Sequence, residues 1–260
     1  MDIRSEKFDI IIQGGQSNAE GCGKGPVEKE FIPSPNCFYL QAVKKTFIDE
    51  VNLHISFPDV PFEISVASEV RANDEVLGDF SLTFAQEYER SALLKDGRKL
   101  LIVRAAVGGS GFKKGHWGLE NILHKKMIEL VNYALSLNPE NKVVAFLWHQ
   151  GEHDAFEGNT PEVYHKQLTE MVSDVRTRYG NMPFIAGDFV NEWKSKNIES
   201  CAPIIDVIRQ VICEMGNAAF VETADLPSNN QKICNGDDIH FCRQSLHELG
   251  KRYFEAYCGL

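Results

Sequence analysis

The sequence has no surplus of positive charge. Its 27 Lys and Arg stand against 37 Asp and Glu, for a net charge of -10. Nucleic acids and anionic membrane surfaces are bound chiefly through clustered Lys and Arg, so neither is expected as a partner. No apolar run approaches the roughly 20 residues of a membrane span. The opening segment Met1-Asp2-Ile3-Arg4-Ser5-Glu6-Lys7 has neither the basic n-region nor the long apolar h-region of a secretory signal, which makes a cytoplasmic protein the expectation. The seven cysteines, Cys22, Cys37, Cys201, Cys213, Cys234, Cys242 and Cys258, include no C-x-x-C pair. A chain of this length does not need disulfide staples, and a reducing compartment is the simpler reading. Internal repeats, low-complexity tracts and charged tails are also missing.

What is present is material for a core. With 260 residues, 43% of them hydrophobic, residues 1–260 read as a single large domain. Short apolar or β-branched runs recur at Phe8–Ile12, Glu63–Ala67, Leu100–Val107, Lys142–Trp148, Pro183–Ala186 and Ala218–Val221. Several are too apolar to be wetted on one face, and they read as strands of a parallel sheet covered on both sides. Between them lie helical patterns at Phe80–Leu94, Leu119–Leu137, Ala202–Met215 and after His240, and Thr160-Pro161 opens another that Gly180 closes. Alternating strands and helices predict a three-layer α/β/α sandwich around a mainly parallel sheet, with the site at the carboxyl ends of the strands. The stretch from Gly21 to Pro61 is too irregular to assign.

Three loops follow three of these strands. They carry Gly15-Gln16-Ser17-Asn18, Gly108-Gly109-Ser110-Gly111 and Trp148-His149-Gln150-Gly151-Glu152. Near the other end of the chain, Asp237-Asp238-Ile239-His240 offers a base and a carboxylate. A serine hydroxyl becomes a useful nucleophile when a histidine takes its proton and a third group holds the imidazole. Ser17, His240 and Asp237 fit those roles, because an Asp three residues before a His on a tight turn can reach back to the ring. Asp238 is the competing carboxylate. Candidate donors for an oxyanion are the Ser17 and Gly109 N–H groups and the Gln150 side-chain amide. Gln16, Asn18 and Glu152 are supporting or substrate-binding candidates, and Trp117 is either a sugar-stacking wall or core.

The blocks G-Q-S-N-A-E-G at 15–21, A-V-G-G-S at 106–110, W-H-Q-G-E at 148–152 and D-D-I-H-F at 237–241 occur in the order of a known superfamily. In them the chain resembles the SGNH hydrolases, and among these the sialate O-acetylesterases and the acetylxylan esterases of carbohydrate esterase family 6. The resemblance implies a flavodoxin-like sandwich that removes acetyl groups from a sugar without a cofactor or metal. It implies the triad Ser17, Asp237 and His240 and an oxyanion role for Gln150. The expected substrate is a small-molecule or oligosaccharide acetyl ester; oligomeric state is not indicated. His153 departs from the small or polar residue expected within W-H-Q-G-E-x-D, which bears on sugar specificity.

Rival readings exist. His149-Gln150-Gly151-Glu152-His153 spells H-x-x-E-H, a zinc-hydrolase pattern that requires a helix beneath both histidines. A non-catalytic carbohydrate-binding protein on the same fold, and an esterase of longer acyl chains, are the others.

Overall fold

The computed structural model describes residues 3–49, 52–72 and 74–260. In chain order, β1 (Lys7–Gly15) runs into the single turn α1 (Ser17–Glu20), and β2 (Cys37–Gln41) follows. A small hairpin, β3 (Lys45–Ile48) and β4 (Leu53–Ser56), precedes β5 (Glu63–Val66) and a second hairpin, β6 (Val70–Ala72) and β7 (Glu75–Leu77). Then come α2 (Phe80–Arg90), β8 (Arg98–Arg104), α3 (Ile122–Leu137), β9 (Lys142–His149), α4 (Glu152–Phe156) and α5 (Pro161–Tyr179). The chain closes with β10 (Phe184–Gly187), α6 (Asn191–Lys196), α7 (Ile198–Met215), β11 (Ala218–Val221), α8 (Asn229–Ile233) and α9 (Arg243–Cys258).

The main sheet has the order β11-β10-β9-β1-β8-β2-β5. All its pairings are parallel except the one between β2 and the edge strand β5. Successive side chains of β1 enter opposite cores. Ile10 and Ile12 pack beneath α3, α5 and α7, while Ile11 packs beneath α2 and α9. Both faces being covered, the central strands are apolar on both sides, as a parallel sheet requires. Helix boundaries follow local chemistry: Thr160 caps α5 by accepting from Val163 N, Pro161 occupies its first turn, and Asp79 caps α2 by accepting from Ser81 N.

The α/β/α expectation matches this architecture, with two corrections. Glu63–Val66 is an antiparallel edge strand with three of its four residues exposed, not a covered parallel one. The helix expected from Ala202 begins at Ile198 and carries Pro203 in its second turn, where the ring removes one intrahelical hydrogen bond. The unassigned stretch from Gly21 to Pro61 holds β2, which pairs with β8 inside the sheet, next to the edge strand, and is buried from Cys37 to Leu40.

The strand order reverses about β1, with β8 on one side and β9 on the other. In open α/β sheets the crevice for a ligand forms at such a switch point, beyond the carboxyl ends of the strands. Ser17 stands there.

Candidate active site

Ser17 is placed by its neighbours on β1 and β9. Gly15 has φ 131°, and a Cβ on it would lie 2.1 Å from His149 O, so glycine alone lets the two strand ends converge. Gln16 N donates to that same His149 O at 3.0 Å. The chain then makes one helical turn, and Ser17 is its first residue, buried but for 7% of its surface. Glu20, at the end of this turn, accepts from Gly108 N at 2.6 Å and pairs with Lys44. This draws the loop after β8 against the serine: a Cβ on Gly108 would stand 3.5 Å from Ser17 Cβ. Gly109 follows with φ 72°. Among the described residues, neither Ser17 N nor Gly109 N donates to a protein acceptor.

The candidate base, His240, is built on a different scaffold. Ser228 caps α8 in a reciprocal capping box with Gln231, and the first residues of that helix reach across to the 237–240 turn. Asn229 N donates to His240 O at 2.9 Å and Asn230 N to Asp237 O at 2.8 Å. Within the turn, His240 Nδ1 lies 2.9 and 3.0 Å from the two Asp237 carboxylate oxygens, and Asn229 Nδ2 donates to Asp237 Oδ2 at 2.8 Å. Burial by itself would push the Asp237 carboxyl up, but the hydrogen bonds from His240 and Asn229 outweigh it and hold the group below the ordinary carboxylate range. The competing Asp238 is turned outward onto Lys196, 2.8 Å away.

Asn18 joins the two halves. Its side-chain Nδ2 donates to Ile239 O at 3.1 Å, and its Oδ1 accepts from Phe241 N at 3.1 Å. One amide thereby grips the backbone on both sides of His240 from the residue next to Ser17. Among the described residues no hydrogen bond closes between Ser17 Oγ and the His240 ring; such contacts commonly tighten when substrate enters.

Gln150 differs from expectation. Its Nε2 donates to Asp154 Oδ2 at 2.6 Å, with Gln16 Oε1 and Ser110 O at 3.3 and 3.4 Å, and its Oε1 accepts from Tyr164 OH at 3.0 Å. The side chain is fully buried and committed to internal acceptors, so its amide is not free for an oxyanion. Asp154, which the sequence reading passed over, organises this region. It is fully buried and also accepts from Phe112 N at 2.9 Å, Lys113 N at 2.8 Å and Asn159 Nδ2 at 2.8 Å. Its one sequence signal was its place two residues beyond Glu152, on a turn opening behind a strand. Gln16 Oε1 accepts from His153 N at 3.1 Å and Gly151 N at 3.4 Å, while among the described residues its Nε2 donates to no protein acceptor.

Trp117 is core and not a sugar-stacking wall. It is fully buried, meets Trp148 edge-on with ring centroids 4.9 Å apart, and donates from Nε1 to Ser110 Oγ at 2.9 Å. The helix that a metal-gripping H-x-x-E-H needs does not form, since His149 ends β9, Gly151 has φ 139° and α4 starts at Glu152. His149 and Glu152 are instead fully buried together, with His149 Nε2 3.7 Å from Glu152 Oε1. Burial pushes the His149 imidazole down to about 3 and pushes the Glu152 carboxyl up.

A small cavity of about 100 Å³ opens beside Val107, with Glu20, Lys44, Arg104, Lys126 and Phe57 among its walls. Three cations and one carboxylate surround it, in a chain whose net charge is -10.

Residues 7–259 match the profile of a family described as carbohydrate esterase, sialic acid-specific acetylesterase. A curated Escherichia coli (strain K12) protein, described as "Probable 9-O-acetyl-N-acetylneuraminic acid deacetylase", is 24% identical over 228 residues, covering 74% of this chain and 70% of the relative. Among solved structures, NanS superposes with a TM-score of 0.76 at 18% identity, over 98% of this chain and 97% of its own. A carbohydrate acetylesterase from Xanthomonas citri superposes with a TM-score of 0.63 at 18% identity, over 97% of this chain and 57% of its own. At such identities the two structures speak to the fold. No helix among the described residues is long and apolar enough to cross a membrane.

Proposed function

We propose a function that proceeds from one premise: the chain belongs to the carbohydrate esterase family of sialic acid-specific acetylesterases. It is a carbohydrate O-acetylesterase, a carboxylic ester hydrolase. Our reading assigns the chemistry to Ser17, His240 and Asp237. Ser17 Oγ attacks the acetyl carbonyl while His240 Nε2 takes its proton, and Asp237 on Nδ1 holds the ring and the imidazolium that forms. The same proton then passes to the leaving sugar hydroxyl, giving acetyl-Ser17. Water activated by His240 attacks this ester, and acetate leaves with Ser17 restored. The oxyanion of both tetrahedral intermediates is met by the N–H groups of Ser17 and Gly109. With Gln150 bound to Asp154, we assign the third donor to Gln16 Nε2.

The observation that carries this reading is the Asn18 grip on Ile239 and Phe241, which ties the serine turn to the histidine turn across more than 200 residues of chain. For the sugar, we favour an O-acetylated sialic acid over a neutral xylan fragment. The support is what the family and the E. coli relative are described as acting on, together with the cavity beside Val107, whose walls carry Lys44, Arg104 and Lys126, each paired with a carboxylate (Glu20, Asp79 and Glu129).

The test is acetate release from 9-O-acetyl-N-acetylneuraminic acid and from acetylated xylo-oligosaccharide, for wild type and Ser17→Ala, each with and without EDTA. Turnover of the sialic acid that EDTA leaves alone and Ser17→Ala abolishes is expected. Turnover surviving Ser17→Ala would end the nucleophile assignment, and faster release from xylan would end the sialic acid assignment.

A further inference from the structure

The proposed reaction leaves unused a fully buried acid and a fully buried imidazole that face each other directly beneath it. Tyr253 OH donates to Trp148 O at 2.9 Å, so its single proton is spent there, and the 3.0 Å contact with His149 Nδ1 requires the ring to be the donor. His149 is therefore protonated on Nδ1, and Nε2 presents a lone pair. The nearest carboxyl oxygen, Glu152 Oε1, lies 3.7 Å from that lone pair, beyond hydrogen-bond reach, and among the described residues both His149 Nε2 and Glu152 Oε2 lack a hydrogen-bond partner. An ionised carboxylate facing an acceptor in a sealed interior would be desolvated and repelled at once. A neutral acid removes both costs.

The same Glu152 Oε1 accepts from Asn18 Nδ2 at 2.8 Å. That bond orients the amide whose remaining contacts grip Ile239 O and Phe241 N. We propose that Glu152 is a positioning residue that works as a neutral acid: uncharged beside the His149 lone pair, it holds Asn18 through Oε1 so that Asn18 fixes the backbone on both sides of His240. The inference rests on the assignment of His240 as the base.

Other titratable groups around Glu152 are consistent with the neutral form. His240 is the one group acting on it whose charge favours ionisation, while Asp188, which is paired with Lys194, opposes it. Tyr164, Tyr253 and Cys201 are each pushed upward by burial and stay uncharged at neutral pH, so none of them brings Glu152 a charge.

Infrared difference spectroscopy of wild type against Glu152→Gln at neutral pH reads the protonation state without any ester turnover. A protonated-carboxyl C=O band that Glu152→Gln lacks is expected; its absence from wild type overturns the inference. Kinetics supply the second readout. Glu152→Gln is uncharged and keeps an acceptor for Asn18, so the acid limb of its kcat/KM profile should stay at the wild-type pH. Glu152→Leu, checked for its fold by near-ultraviolet circular dichroism, should lose on the order of 10²-fold in kcat with little change in KM, the usual cost of a misplaced catalytic group. An acid limb that moves to lower pH in Glu152→Gln, with kcat falling, would make Glu152 an ionised partner of His240 and sink the proposal. The infrared band reads Glu152 alone and turnover by Ser17→Ala reads the nucleophile alone, so the two assignments fail separately.

Discussion

Mild acid should weaken this fold through His149. The imidazole is fully buried and its affinity for a proton falls from an ordinary value of 6.5 to about 3, because burial penalises the charged ring. A histidine lowered in this way binds its proton in the unfolded chain first. Its contribution to stability is thus intact above 6.5 and drains away as pH falls from 6.5 toward 3. At pH 5.0 the solution lies one and a half pH units below the unfolded value, and at about 1.4 kcal/mol per unit the loss is about 2 kcal/mol. Glu152 works in the opposite sense: raised by burial, it contributes stability that is full below 4.5 and lost as pH rises through its folded value. The perturbation that isolates His149 is His149→Asn, which keeps a donor for Tyr253 and cannot titrate. Urea unfolding followed by tryptophan fluorescence at pH 7.5 and pH 5.0 gives two free energies for each protein, and contributions common to both cancel in the difference of differences. Wild type should lose about 2 kcal/mol more than His149→Asn over this interval. Equal losses would mean that His149 titrates in the native protein much as it does unfolded, and the argument from burial would be wrong.

Gly15→Ala places a Cβ 2.1 Å from His149 O, so a lowered urea midpoint, at the upper end of the usual ~0.5–3 kcal/mol range, should come with a large fall in kcat as the serine turn shifts. Asp154→Ala strands Phe112 N, Lys113 N, Gln150 Nε2 and Asn159 Nδ2; at about 1–3 kcal/mol for a buried donor left unpaired, a loss of several kcal/mol is expected from denaturant melts, and no loss would remove Asp154 from its organising role. Gln16→Ala should cost on the order of 10²-fold in kcat with p-nitrophenyl acetate, whereas Gln150→Ala should act mainly on stability. The reverse ordering would return the oxyanion role to Gln150. Lys126→Ala should raise KM for an O-acetyl sialic acid while leaving p-nitrophenyl acetate unaffected; an equal change for both esters would separate the cationic cavity from sugar recognition.

Much of this architecture is legible along the chain because it depends on short-range pattern. A covered parallel strand shows as a continuous apolar run, a helix as a three-to-four repeat between Thr160-Pro161 and Gly180, and a reactive loop as the glycine-rich segment just behind a strand. Asp237 and His240 are three residues apart, so their contact is a property of one turn, and the structure places them within 3.0 Å. The sequence is least legible where burial is decided by distant chain. Cys37–Gln41 is too short to stand out, and its place inside the sheet, next to the edge strand, comes from pairing with β8, some 60 residues away. Trp117 looks like a sugar platform beside a glycine loop until Trp148 and Ser110 are folded around it.

The same division runs through the site. Local sequence is enough to specify a serine on a tight turn, a histidine with its carboxylate, and glycines that admit a substrate, because each demands only backbone geometry or neighbours a few residues off. Which amide is free and which acid is neutral are questions of partners brought together by the fold. Gln150 Nε2 donates to Asp154, four residues on, in a sealed interior, and Glu152 meets His149 and Asn18 where water cannot arbitrate between charged and uncharged forms. Hydrogen-bond partners and desolvation belong to the packed chain, and for that reason tertiary structure alone decides them.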